Sequence, residues 1–221
     1  MKQAKIFLAT MAAVFGMNAQ AAMTVADNFN DGTFSGWTTQ AGSFSESGGV
    51  LTGTTFSLAT LDGASATTLG VDAISGAGVS YVALILNYSS LSDNLFVKLQ
   101  DNTGDGKFDR VFMYRGNNGS SATTGSYYFD LSTEVESSYF EASVNNVTGL
   151  VTAKVGATGD VFSGTLSNSY TGTGVGIGFY GNATANNYYV PSAVPEPEAL
   201  AMLLAGVGVV GVMARKRRVA R

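Results

Sequence analysis

Between residues 24 and 190 the apolar positions come in short bursts, and nowhere do they recur at helical spacing for three turns. The bursts are rich in β-branched and aromatic residues and are separated by Gly, Asn, Asp, Ser and Thr, the pattern of strands joined by turns. Eight are clear: YVALILNY (81–88), LFVKLQ (95–100), RVFMYRG (110–116), SYYFDL (126–131), YFEASV (139–144), LVTAKV (150–155), VFSGTL (161–166) and VGIGFYG (175–181). GVLTGT (49–54), SLATL (57–61) and NYYV (187–190) are weaker. Alternation assigns faces: Leu95, Val97 and Leu99 take one side of their strand, and Phe96, Lys98 and Gln100 the other. Val175, Ile177 and Phe179 likewise share a side opposite Gly176 and Gly178, while YVALILNY is apolar on both sides and predicts a central strand. About ten short strands predict an all-β fold, two packed antiparallel sheets in a jelly-roll-like sandwich. A β-helix would need a fixed short repeat, and the sequence has none.

Both ends break this pattern. MKQAK is basic, IFLATMAAVFGM is apolar, and Ala19-Gln20-Ala21 has the small-x-small form of a signal peptidase site, which predicts a signal peptide over residues 1–22. The sandwich is expected over residues 23–190 and a separate C-terminal signal over 191–221. From Ala199 to Ala214 there are 16 residues without a charge, followed by Arg215, Lys216, Arg217 and Arg218. As a helix that run spans about 24 Å, short of the ~30 Å hydrocarbon core, and snorkelling basic side chains narrow the gap. The reading is one C-terminal membrane helix with its basic flank on the cytoplasmic side, holding the body outside the cytoplasm.

Val194, Pro195, Glu196 and Pro197, then the apolar run, then the basic cluster, resemble the PEP-CTERM sorting signal of Gram-negative bacteria. That resemblance implies recognition by a membrane-embedded exosortase, cleavage near Pro-Glu-Pro, and association with exopolysaccharide and biofilm matrix. Pro195 and Pro197 remove backbone donors and keep the chain extended ahead of the helix. The body carries its own resemblance. DNFNDGTFSGWT (27–38), FSESGGVLTGT (44–54) and GVGIGFYGNATANNYYV (174–190) are similar to laminin-G and concanavalin-like sandwiches. In those proteins the first and last strands lie side by side, and Asp27, Phe29 and Trp37 match the opening. Their last strand often reads Phe-Asp-Asn, where this chain has Asn186, Asn187 and Tyr188, so a carboxylate is missing there.

Charge and composition then remove whole classes of function. Residues 22–193 hold five basic residues (Lys98, Lys107, Arg110, Arg115 and Lys154) against fourteen acidic ones, a net charge of −9, which is unsuited to nucleic acid. The chain has no cysteine and no histidine, which excludes disulfides, the usual nucleophilic triads and ordinary zinc sites. Glu134, Glu136 and Glu141 lie close together in TEVESSYFE, and Glu134 and Glu136 would share a face were the segment extended. Concanavalin-like glycosidases favour Glu-x-Asp-x-x-Glu on one strand, and this segment has valine and serines where the other carboxylates belong. Trp37, the sole tryptophan, fits either a core plug against Phe29 and Phe34 or an exposed ring for stacking sugars.

DNTGDGKFD places oxygen ligands at Asp101, Thr103, Asp105, the Lys107 carbonyl and Asp109, with Gly106 at the sharp bend. These are the first nine positions of an EF-hand-type calcium loop, but Phe112 stands where a bidentate glutamate belongs. A hairpin turn without metal explains the same residues, since Asp-Gly is a strong turn former. The expectation is a non-enzymatic, exported surface or matrix protein with a structural or adhesive role, processed by signal peptidase and an exosortase-like membrane protease. The alternative is a lectin-like carbohydrate-binding module, calcium-assisted if the loop binds metal. A glycan-active enzyme is the least supported class.

Overall fold

The computed structural model describes residues 21–117, 120–121, 125–166 and 169–192. Residues 1–20 of the signal peptide expected over 1–22, the motif Val194, Pro195, Glu196 and Pro197, the apolar run and the basic flank lie outside these residues. No helix among the described residues is long and apolar enough to cross a membrane.

The described chain is built from strands. In order they are β1 (Met23–Asp27), β2 (Trp37–Ala41), β3 (Phe44–Ser47), β4 (Val50–Gly53), β5 (Ser57–Ser65), β6 (Thr68–Ile74), β7 (Ser80–Ser90) and β8 (Asp93–Asp101). Then follow β9 (Phe108–Asn117), β10 (Ser120–Ser121), β11 (Tyr127–Val135), β12 (Ser137–Val144), β13 (Leu150–Val155), β14 (Asp160–Thr165), β15 (Gly174–Tyr180) and β16 (Thr184–Pro191). They form two eight-stranded sheets. Sheet I runs β14-β13-β12-β6-β16-β4-β3 with β1 also on β16, and sheet II runs β10-β9-β8-β7-β15-β5-β2 with β11 also on β9. Neighbours such as β7 with β8, β12 with β6 and β1 with β16 are antiparallel. The expected all-β sandwich is the observed fold.

Alternation places the core as expected. Leu95, Val97 and Leu99 of β8, Val82, Leu84 and Leu86 of β7, and Val175, Ile177 and Phe179 of β15 are buried between the sheets, facing Val71, Phe140, Ala142, Val151 and Tyr188 of sheet I. The opposite side of sheet II carries a second apolar cluster, with Leu58, Tyr81, Ala83, Ile85, Phe96 and Tyr114. That second cluster is why YVALILNY reads as apolar on both sides.

Trp37 belongs to the core. It is 7% exposed, stacks on Phe34 at 5.4 Å and meets Tyr188 edge-on at 5.0 Å, with Phe29 at 6.2 Å. Its indole N–H donates to Asp27 Oδ2 at 2.7 Å, while Asp27 Oδ1 accepts from the Phe29 backbone N–H at 2.9 Å. The carboxylate thus satisfies the one polar atom a buried tryptophan brings.

Five strands had no counterpart in the pattern: β1, β2, β3, β6 and β10. β6 matters most, because Gly70 and Asp72 interrupt its apolar residues and lower its strand propensity. Its place between β12 and β16 overrides that propensity, with Leu69, Val71 and Ala73 buried in the core. TEVESSYFE is not one extended segment: β11 ends at Val135 in sheet II and β12 begins at Ser137 in sheet I. Glu134, Glu136 and Glu141 therefore sit on β11, at the crossover and on β12, rather than along one strand.

Candidate functional site

The 101–109 segment is a turn between β8 and β9, closed by its own carboxylates. Asp101 is fully buried; its Oδ1 accepts from the Gly104 N–H at 2.5 Å and the Thr103 hydroxyl at 3.4 Å, and its Oδ2 from the Gly106 N–H at 2.8 Å. Asp109 Oδ2 accepts from the Asn102 and Thr103 N–H groups at 3.1 and 3.0 Å. Asp105 Oδ1 accepts from the Lys107 N–H at 3.0 Å. Gly104 and Gly106 take φ of +80° and +88°, a region glycine enters at little cost. The loop thus satisfies its own backbone donors.

Gly106 also forms one wall of an open cleft of about 650 Å³ at this end of sheet I. Other walls come from Asp72 and Ser75 on β6 and its exit, Ser137 and Tyr139 on β12, and Asn186 on β16. Three local features build it. First, the β6–β12 register sets Tyr139 opposite Asp72. Second, β16 carries a bulge, since Ala185 pairs with Ala73 but Tyr188 with Val71, one residue more on β16 than on β6. A bulge re-aims side chains. Here it leaves Asn186 lining the cleft, while Asn187 Nδ2 donates to Asp72 Oδ2 at 2.7 Å. Third, Gly70 has no Cβ, and one placed there would stand 2.6 Å from the Tyr139 hydroxyl oxygen. Only glycine lets the Tyr139 ring lie across that strand.

The tyrosines and carboxylates beside the cleft are cross-linked. The Tyr139 hydroxyl donates to Glu141 Oε2 at 3.1 Å, the Tyr189 hydroxyl to Asp72 Oδ2 at 2.7 Å, and the two rings meet edge-on at 5.5 Å. Lys154 completes the line with an ion pair to Glu141 at 2.8 Å. Burial and the neighbouring Glu141 push the Tyr139 hydroxyl well above its ordinary range, and burial with Asp72 pushes Tyr189 up to about 12. Both hydroxyls remain protonated donors at neutral pH. Two polar atoms lining the cleft, Ser75 Oγ and Asn186 Oδ1, are buried without a hydrogen-bond partner. Such groups ordinarily have one. Donors, acceptors, an aromatic ring and carboxylates, with no cation on the wall, suit a neutral polyhydroxyl ligand. Asp72, Tyr139 and Asn186 escaped sequence reasoning; the signal available was an aspartate in alternation with Leu69, Val71 and Ala73.

Comparison with known proteins separates tail from body. Residues 193–218 match the family model for the PEP-CTERM protein-sorting motif. The chain carries a PEP-CTERM sorting motif. The matched span includes Val194, Pro195, Glu196, Pro197 and the basic cluster, while the body before it lies outside the PEP-CTERM match. No curated protein sequence matches the chain. Among solved structures the body resembles a Bacillus licheniformis β-glucanase, with 9% identity, 80% of this chain and 100% of that chain covered, and a TM-score of 0.54. A β-1,3-1,4-glucanase (lichenase) from a mouse hindgut metagenome gives 9% identity, 77% and 100% coverage, and a TM-score of 0.53. The carbohydrate-binding module CBM66 from Bacillus subtilis gives 12% identity, 70% and 91% coverage, and 0.48. At such identities the likeness to the two glucanases is one of fold.

Proposed function

We propose that the protein is exported, cut by signal peptidase and by an exosortase-like membrane protease, and placed at the cell surface or in the polysaccharide matrix as a non-catalytic adhesive unit. The observation that carries this reading is the PEP-CTERM motif, which begins at residue 193, just after the last strand of the sandwich ends at Pro191. Pro195, Glu196 and Pro197 form the processing site, and Arg215, Lys216, Arg217 and Arg218 hold the tail against the cytoplasmic side. The body contacts neutral saccharide through the cleft, where Asn186, Ser75 and Tyr139 supply hydrogen bonds and Asp72 and Glu136 discourage anions. Fractionation of native host cells tests it: the wild-type chain should leave the inner membrane in processed form, and a chain with Pro195, Glu196 and Pro197 replaced by alanine should remain there uncut. Uncut wild-type protein in the cytoplasm would overturn the reading.

Calcium at Asp101, Thr103, Asp105, Lys107 and Asp109 is a second reading, favoured by one observation. Asp109 Oδ1 is buried and lacks a hydrogen-bond partner. Against it, no set of three His, Cys, Asp or Glu side chains gathers as a metal site among the described residues. A ligand that binds the native state raises stability, so thermal melts in 5 mM calcium and in chelator, added at about those laboratory concentrations, decide the matter. A higher melting temperature in calcium that Asp109→Asn abolishes supports the metal; coincident curves reject it.

A further inference from the structure

We infer that the outer face of sheet II is a second binding surface, centred on Lys98, that takes an anionic polysaccharide bearing uronate carboxylates. The inference does not rest on the cleft of sheet I. Cross-strand register builds the surface: Lys98 of β8 lies opposite Ala83 of β7 and Phe112 of β9, in a row with Gly178 of β15 and Tyr128 of β11. Gly178 and Ala83 are buried under the rings beside Lys98, and the Phe96 ring lies so close over Gly178 that a Cβ there would stand 3.3 Å from it.

The Lys98 ammonium sits 4.4 Å from the centroid of the Tyr81 ring, 5.1 Å from that of Phe112 and 5.8 Å from that of Tyr114. Rings of this kind attract a cation, yet none supplies a negative charge to this half-buried lysine. Arg110, Arg115 and Lys154 pair with Asp130, Asp93 and Glu141, whereas Lys98 makes no ion pair among the described residues. In a body with net charge −9, the outward positions of β7, β8, β9 and β15 carry no carboxylate at all. Burial lowers the Lys98 pKa from 10.5 to about 8, so the bare cation costs the fold stability. Within the sheet the Lys98 ammonium meets only rings, and an anionic partner from outside would supply the countercharge they lack.

The flanks supply the rest of the surface. Tyr180, 42% exposed, stacks on Tyr81 at 5.7 Å on one side. On the other, Tyr128, 64% exposed, lies under the Arg110 guanidinium at 5.1 Å. Four strand steps separate β15 from β11, about 19 Å at the usual spacing. An extended sugar chain fits this geometry, with pyranose faces on the open tyrosines and a carboxylate on Lys98.

The test uses the full chain, polygalacturonate as the anionic probe and a mixed-linkage β-glucan as the neutral one, with binding measured by affinity electrophoresis at pH 7 and 9.5. Tyr81 and Tyr114, the titratable groups packed on Lys98, are held neutral by burial. The other charges on this face include the Arg110–Asp130 pair and, on β5, Asp62, which accepts from the Thr38 hydroxyl. The wild-type chain should bind polygalacturonate and lose about tenfold in affinity at the higher pH. Lys98→Met should lose about as much at pH 7. Lys98→Arg should bind at both pH values. Lys98→Met removes the buried charge, so it should fold at least as well as the parent. Equal binding by Lys98→Met, no retardation by polygalacturonate, or self-association of the chain that occupies this face would each overturn the inference.

Discussion

On the outer face of sheet I, charge is answered within the sheet. Lys154 meets Glu141, Asp72 accepts from Asn187 and Tyr189, and Tyr139 donates to Glu141. On the outer face of sheet II the central strands present rings and one lysine, and Lys98 finds only π-faces. Both faces belong to one sandwich and are made by the same alternation. A network whose charges are paired but which leaves Ser75 Oγ and Asn186 Oδ1 unpartnered suits water and neutral hydrogen-bonding ligands. A half-buried cation without a counterion gains most when an anion arrives.

Four substitutions sharpen this contrast, in falling order of effect. Tyr114→Ala should cost about 3 kcal/mol in denaturant unfolding, because a buried ring stacked on Phe96 at 5.0 Å is lost along with one wall around Lys98. Lys98→Met should instead stabilise the chain at pH 7, on the order of 2 kcal/mol. The sign follows from the lowered pKa: between about 8 and 10.5 the unfolded chain binds more protons than the folded one, so wild-type stability rises with pH across that window. The advantage of Lys98→Met should be full below pH 8 and gone near 10.5, as urea midpoints across pH would read. Asp72→Ala should cost about 1 kcal/mol, since Tyr189 and Asn187 lose an acceptor that water partly replaces. Lys154→Ala should change stability by about 0.3 kcal/mol, less in high salt, because the lysine side chain is 49% exposed. A Lys98→Met chain less stable than its parent would remove the distinction between the faces.

How far the sequence revealed this depends on the range of the interactions. Strands β7, β8 and β9 were legible because their apolar residues recur locally, and the outward position of Lys98 followed from Leu95, Val97 and Leu99 facing the core. Its lack of a partner was not legible, because Tyr81, Phe112 and Tyr114 reach it only through cross-strand register. β6 was lost to local propensity: Gly70 and Asp72 weaken a strand seen alone, yet in the sheet they admit the Tyr139 ring and anchor Tyr189. With β6 went the cleft. The 101–109 turn shows a third case. Its residues could be read as a turn or as calcium ligands, and only coordinates reveal that Asp101 and Asp109 accept from the loop's own N–H groups. The sorting motif was legible throughout, because order and spacing along the chain define it.

The central claim is that the delivered body holds saccharide on two chemically distinct faces. Its most direct test is NMR titration of the isotopically labelled full chain with a neutral gluco-oligosaccharide and, separately, with an oligogalacturonide. The account predicts shifts at Asp72, Ser75, Tyr139 and Asn186 for the neutral sugar, and at Lys98, Phe112 and Tyr128 for the anionic one. Shifts at neither set, or the same set shifting with both sugars, would contradict it.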